Sequence, residues 1–409
     1  MADPARPDAS TLLVTLTGDD RPGVTSTLFD AVAGVGALVL DVEQVVVRGH
    51  LTLAVLLAAG AGDAALTEAV TDAGARLGME VAVVAGRGDN RSRRGGRAAV
   101  VVLGAPLPAA AMAGVAHAVA EHGANIDRIR RLSRYPVTTV ELDVSGADVP
   151  ALRHRLALVA AAQGVDVAVA PAGLARRGRR LVVMDVDSTL IQDEVIELLA
   201  RHAGREAEVA AVTEATMRGE LDFAASLRAR VAALAGLPES VLDEVRAEVR
   251  LTPGARTLVR TLRRLGMTVG LVSGGFVEVV HPIAQELGIE HVRANRLEVL
   301  DGRLTGSVVG EVVDRAGKAE ALREFAALEG LPLSRTVAVG DGANDLDMLA
   351  AAGLGVAFNA KPVVREQADA SVSVPYLDAV LFLLGITREE VEEADAADGG
   401  APTTTGAVH

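Results

Sequence analysis

Two aspartates one residue apart close the β-branched run VVMDVDSTL, residues 182–190, and Ser188 and Thr189 follow them directly. Residues at i and i+2 of a strand project from one face, so Asp185 and Asp187 converge on one small volume where the strand ends. Carboxylates held that close repel each other unless a cation or a shared proton relieves them. An Mg2+ ion with oxygen ligands would do this and would also bring in phosphate. An acidic turn after a buried strand is the plain alternative.

Three downstream sites weigh against that alternative. Ser273-Gly274-Gly275-Phe276 follows a strand-like run and is expected to open a helix, where free N–H groups and a serine hydroxyl suit an anionic phosphoryl group. Glycines at such turns also serve sterics alone. Lys318, within AGKAEAL at a predicted helix start, reads as a solvated lysine unless a phosphoryl-transfer site needs a fixed cation. GDGANDLDM, residues 340–348, puts Asp341 at a strand end, Gly342 in a tight turn, and Asn344 and Asp345 at the next helix start. A helix cap would explain one or two of these residues. It would not explain two more aspartates at strand-end positions of a sheet that already carries Asp185 and Asp187.

The elements that must hold these residues are α/β. From Leu181 onward, strands and helices alternate as a doubly wound, Rossmann-like sheet requires, with strand-like runs LVVMDV, MTVGLVSG, TVAVGDG, LGVAF and ASVSV. Ligands of such sheets bind outside the carboxyl ends of the strands, where the motifs lie. A helical insert at about 193–250 is expected to cap that end. Before it, residues 1–86 and 97–172 each read as β-α-β-β-α-β, the ferredoxin-like split unit. Basic glycine-rich stretches at 86–97 and 173–180 read as connectors. The catalytic segment is expected over 181–386, and the acidic, low-complexity stretch 387–409 is expected to be disordered.

Composition bounds the function. With 409 residues, half of them hydrophobic, the chain can build several cores, but an aromatic share of 2% leaves the packing to Ala, Val and Leu. A formal charge of −14 argues against general affinity for nucleic acid or an anionic membrane. The absence of cysteine excludes disulfide and thiolate chemistry. No apolar run is long enough to span a bilayer and no secretory signal is visible, so a cytoplasmic protein is expected. The histidines are scattered without ligand spacing.

The ordered set DVDST, SGG, a lone lysine and GDGAND resembles the haloacid dehalogenase superfamily of aspartate-nucleophile phosphotransferases. The longer strings DVDSTLIQDEVIELLA, LDFAASLRARVAALAGL, VSGGF and ANRLEVLDGRLTG are similar to its phosphoserine phosphatase family, and the two N-terminal units resemble tandem ACT domains through GDDRPGV. The resemblance implies Asp185 as nucleophile, forming an aspartyl-phosphate, and Asp187 as general acid and base. It implies Mg2+ held by the Asp185 and Asp341 side chains and the Asp187 carbonyl, with Asp345 in support. Ser273, Gly274, Lys318 and Asn344 would bind the phosphoryl group of O-phospho-L-serine. Glu194 would take its ammonium and Arg230 its carboxylate, with Met217 and Phe223 as an apolar wall. In the first ACT unit, Gly18, Asp20, Gly23 and Asp41 mark where a regulatory L-serine would bind, in a protein expected to be a homodimer. A phosphatase for another small phosphate and a catalytically silent amino-acid sensor are the competing readings. The first covers a sugar phosphate or phosphohomoserine, and a sugar phosphate would offer neither a carboxylate to Arg230 nor an ammonium to Glu194. The second predicts a missing catalytic group, and none is missing.

Overall fold

The alternation in STLLVTLTGD buries Leu12, Val14 and Leu16 on one face of Ser10–Asp19 (β1) and leaves Leu13 on the other, 40% exposed. The computed structural model describes residues 10–58, 63–87, 95–134, 136–173, 178, 180–217 and 222–397, without the side chains of 214–217. The chain falls into two compact units, residues 1–93 and 94–409.

In the first unit, β1 is followed by Val24–Gly34 (α1), Val39–Val47 (β2), His50–Ala58 (β3), Asp63–Leu77 (α2) and Glu80–Arg87 (β4). The antiparallel sheet has the order β2-β3-β1-β4. Its inner face packs on Leu28, Val32, Leu66 and Val70 of the two helices. Its outer face leaves Leu13, Val42 and Val84 exposed.

The second unit opens with the same order: Ala98–Gly104 (β5), Ala109–Glu121 (α3), Asn125–Ser133 (β6), Thr138–Ser145 (β7), Val149–Gln163 (α4) and Asp166–Pro171 (β8). Its sheet, β6-β7-β5-β8, repeats the topology of the first. Every residue of β5 is buried, because both faces of this sheet are covered. Val100 and Val102 pack on α3 and α4, whereas Val101, Leu103, Leu132 and Ala168 join the core of the segment that follows.

That segment begins with Leu181–Met184 (β9), all four side chains buried. Helices Val195–Ala203 (α5), Glu206–Met217 (α6), Phe223–Ala232 (α7) and Val241–Glu248 (α8) form the insert. Ala255–Arg264 (α9), Thr268–Phe276 (β10) and Val277–Leu287 (α10) return the chain to the sheet. Then come His291–Leu300 (β11), Arg303–Val309 (β12), Arg315–Leu328 (α11), Thr336–Gly340 (β13), Leu346–Ala351 (α12) and Leu354–Phe358 (β14). Pro362–Arg365 (α13), Ala370–Val372 (β15), Val380–Leu383 (α14) and Arg388–Ala397 (α15) complete the order. The seven strands run β12-β11-β10-β9-β13-β14-β15, which puts β9 at the centre between parallel neighbours β10 and β13.

Three expectations need correction. The segment 387–409 is not wholly irregular: α15 forms over Arg388–Ala397, because Asp395, 4% exposed, sits between Arg260 and Arg264 at 2.5 Å from each. Residues 398–409 lie outside the described residues. Ser273, Gly274 and Gly275 do not open a helix but lie in the last turn of strand β10, where the pairing with β11 shifts between Val272 and Phe276. Helix α10 starts only at Val277. The sheet also gains two strands beyond the five expected, a hairpin of β11 and β12 whose turn residues Asp301 and Gly302 both have positive φ, 51° and 73°.

Candidate active site

Four strand-to-helix junctions at the carboxyl ends of β9, β10, β13 and β14 line a cavity of about 540 Å3. Asp185 follows β9, and its amide donates to the Val339 carbonyl of β13 at 2.9 Å. The chain then turns through Ser188, a non-glycine residue with φ of 57°. Such a left-handed conformation is strained and persists where its surroundings impose it. Here the Ser188 hydroxyl donates to Glu194 at 2.7 Å.

The carboxylates divide into two groups. Asp185, Asp341 and Asp345 each offer an oxygen within 4.8 Å of the others. Lys318, fully buried, lies 2.7 Å from both Asp185 and Asp345. It donates to Asp345 Oδ1, whereas its approach to Asp185 Oδ1 is an ion pair outside hydrogen-bond geometry. Asp345 Oδ2 accepts from the Gly342 amide at 3.0 Å, and Asp341 accepts from Thr189 at 3.1 Å. Asp187 instead faces the insert and β10. Its Oδ1 accepts from the Val195 amide at 2.8 Å and its Oδ2 from Ser273 Oγ at 2.9 Å. Ser273 Oγ in turn accepts from the Gly275 amide at 2.7 Å.

The electrostatics follow from this crowding. Burial works against the Lys318 ammonium, but Asp185 and Asp345 outweigh it and hold its pKa above the ordinary value. Burial, reinforced by Asp345, pushes Asp185 up against the pull of Lys318. Burial likewise raises Asp341 to about 6, with Asp345 adding to the effect. Three carboxylates against one ammonium leave an uncompensated negative charge. The all-oxygen donor set of Asp185, Asp341 and Asp345 fits a hard divalent cation such as Mg2+. Asp187 is raised by burial despite the hydrogen bonds it accepts from Val195 and Ser273.

The insert supplies the opposite wall. Glu194, Phe223 and Arg230 all line the cavity. Burial and the charge of Asp187 push Glu194 up to about 7. Burial lowers Arg230, while Glu194 opposes that shift. Phe223 packs over Gly274, where an added Cβ would meet the ring at 3.0 Å. Asn344 and the Gly274 backbone complete the set, and the Met217 side chain lies outside the described residues. In the first unit, Gly18 lies near the end of β1 and Asp20 and Gly23 in the β1–α1 connection, whereas Asp41 lines a groove with Thr11 and Glu43.

Several contributors escaped the sequence. Asn295, 1% exposed, donates to the Gly274 carbonyl and accepts from the Val313 amide, both at 2.8 Å, and so fixes the end of β10 that lines the cavity. Thr189 orients Asp341, and Asn359 and Lys361 line the cavity from beyond β14. Asn359, at φ 46°, carried a turn signal in the string FNAKP, and Asn295 carried none.

The haloacid dehalogenase-like hydrolase family matches residues 182–350, and ACT domain families match residues 10–84 and 97–170. The chain is 62% identical to a phosphoserine phosphatase of Streptomyces coelicolor over 95% of each chain. It is 55% identical to one of Mycobacterium tuberculosis, over 96% of this chain and 98% of that one. Among solved structures, a probable phosphoserine phosphatase from Vibrio cholerae superposes with a TM-score of 0.56 at 35% identity, covering 70% of this chain and 86% of that one. No helix among the described residues is long and apolar enough to cross a membrane. With its aspartate pair at the end of the central strand and its two N-terminal repeats, the chain belongs to the phosphoserine phosphatase family of haloacid dehalogenase-like hydrolases that carry tandem ACT domains.

Proposed function

We propose that the chain hydrolyses O-phospho-L-serine to L-serine and phosphate through an aspartyl-phosphate on Asp185, in the last step of L-serine formation. The observation that carries this reading is one cavity in which Asp185, paired with buried Lys318, faces Glu194 and Arg230. The first pair suits a phosphoryl group and the second a zwitterion. A sugar phosphate would use only the first.

In the first step an Asp185 oxygen bonds to phosphorus and the bond from phosphorus to the serine oxygen breaks. Asp187, whose carboxyl burial shifts upward, acts as general acid and gives a proton to that departing oxygen. In the second step water attacks phosphorus, Asp187 takes the proton, and Asp185 is released as a carboxylate. Bound Mg2+ would supply charge neutralisation between nucleophile and phosphate. Ser273, the Gly274 amide, Asn344 and Lys318 would hold the phosphoryl oxygens. Ser273 is already oriented by the Gly275 amide and Asp187. Arg230 offers a planar fork for the carboxylate, Glu194 an acceptor for the ammonium, and Phe223 an apolar wall with Met217.

The reading extends to a cytoplasmic homodimer whose ACT repeats sense L-serine near Gly18, Asp20, Gly23 and Asp41. The exposed Leu13, Val42 and Val84 on the first sheet support pairing of that face. Phosphate release from O-phospho-L-serine in the presence of Mg2+ tests the activity. Release by the intact chain and none by Asp185→Asn is expected, and an inert intact chain would refute the proposal. Adding L-serine to the same assay tests the regulatory part separately.

A further inference from the structure

Asn295 spends both polar atoms of its buried side chain on backbone groups of two other segments. Gly274 offers it a carbonyl and Val313 an N–H, so a side-chain amide serves both at once and an ionised carboxylate or an aliphatic group cannot. Both segments reach the active-site cavity. Val313 lies just before α11, the helix that carries Lys318, and Gly274 lies at the end of β10. There the register between β10 and β11 skips residues 273–275, and the Asn295 side chain takes over from the sheet ladder.

A line of hydrogen bonds runs from Asn295 to Asp187. The carbonyl that Asn295 holds belongs to the peptide between Gly274 and Gly275. The N–H of that same planar unit donates to Ser273 Oγ at 2.7 Å, and Ser273 Oγ donates to Asp187 Oδ2 at 2.9 Å. Glycine stands on both sides of the peptide, and its dihedrals resist rotation least. A Cβ at Gly274 would press on Phe223 at 3.0 Å, and one at Gly275 on Asp187 at 2.8 Å, so close approach keeps both positions without side chains. The orientation of this peptide must therefore be imposed from outside, and Asn295 is the side chain that grips its carbonyl.

We propose that Asn295 is a positioning residue: by pinning the peptide between Gly274 and Gly275 it aims the Ser273 hydroxyl, and through it the Asp187 carboxyl, at the ester oxygen that leaves phosphorus. The inference deepens the phosphatase reading and rests on it for its kinetic consequence. A proton from Asp187 matters greatly to the serine oxygen, a strongly basic leaving group. It matters little to p-nitrophenolate, which departs as a stable anion.

The test is kcat/KM, which covers the steps up to the aspartyl-phosphate, measured on O-phospho-L-serine and p-nitrophenyl phosphate with the intact chain, Asn295→Ala and Asn295→Leu. The first variant admits water and the second fills the volume, so a folding defect in one, read by circular dichroism at the assay temperature, leaves the other to decide. A loss of about 10²-fold or more is expected on O-phospho-L-serine. On p-nitrophenyl phosphate the loss should be about tenfold or less, the share due to the grip of Ser273 on phosphate. Asn295→Ala combined with Ser273→Ala should cost little more than Ser273→Ala alone, because both act through one hydroxyl. Equal losses on the two esters, no loss on either, or losses that multiply in the double variant would overturn the proposal. An intact chain inert on both esters would instead sink the phosphatase reading. Equilibrium dialysis of radiolabelled inorganic phosphate against the Mg2+-loaded chain would then judge Asn295: binding about tenfold weaker in the variants upholds its hold on Ser273, and unchanged binding overturns it.

Discussion

On the proposed function, Glu194 is the residue whose protonation decides whether O-phospho-L-serine is held. Its carboxyl, raised to about 7 by burial, must be ionised to accept an ammonium. Because the raised value puts the neutral form below about pH 7, kcat/KM on O-phospho-L-serine should fall about tenfold per pH unit below it. Glu194→Gln should remove that limb and lower kcat/KM about 10- to 100-fold, the loss of a charge-assisted bond of ~1.5–3 kcal/mol. p-Nitrophenyl phosphate, which lacks an ammonium, should show neither effect. Arg230→Ala should likewise depress kcat/KM on O-phospho-L-serine and spare p-nitrophenyl phosphate, and equal loss on both would remove Arg230 from carboxylate recognition. The meeting of Asp185 and Asp341 was legible because parallel neighbouring strands bring their carboxyl ends together whatever the intervening chain does, whereas Asp187, beyond the end of β9, turns its carboxylate to Val195 and Ser273 instead. The burial of Lys318 was not, since it depends on how α11 packs against α12.

At the level of elements, the end of β10 tolerates no side chain beyond those it has. A Cβ at Gly275 would lie 2.8 Å from Asp187 Oδ2 and 3.0 Å from Ser273 Oγ. Gly275→Ala should therefore displace the Asp187 carboxyl and the Ser273 hydroxyl together and, on the proposed mechanism, cut kcat by about 10²-fold or more, while Tm moves little. Unchanged kcat would show that neither group needs its present position. The apolar run MTVGLVSG marked this strand, but its final bulge is set by Asn295 on β11, a contact between elements that no local pattern encodes. Helix α15 was hidden for the same reason. Its letters, REEVEEADAA, are those of a solvated segment, and only arginines on α9 about 130 residues earlier turn Asp395 inward.

Across the whole molecule, the two ACT repeats share a topology but not an environment. The continuous apolar run of β5 reported two covered faces, and the interrupted run of β1 reported one. Asp166 on β8 accepts from Ser371 Oγ at 2.6 Å and from the Ser373 amide at 2.7 Å, while Arg153 reaches Asp369 at 2.5 Å. Asp166→Ala should cost about 1–3 kcal/mol by leaving those donors unmatched, visible as a lowered Tm with catalytic constants retained. Divalent metal should act in the opposite direction. Titrating Mg2+ into chelator-treated protein should raise Tm, by about 2.7 kcal/mol of stabilisation at a hundredfold excess over Kd, and Asp341→Asn should flatten that response. A closing role falls to α15, where Glu389 pairs with Arg131 and Arg134 of the second repeat while Asp395 pairs with Arg260 and Arg264 of the core. Both bodies it fastens are translated ahead of it, so each can fold as a unit before their clasp has been made. Maturation of this enzyme would then finish with a latch rather than a core.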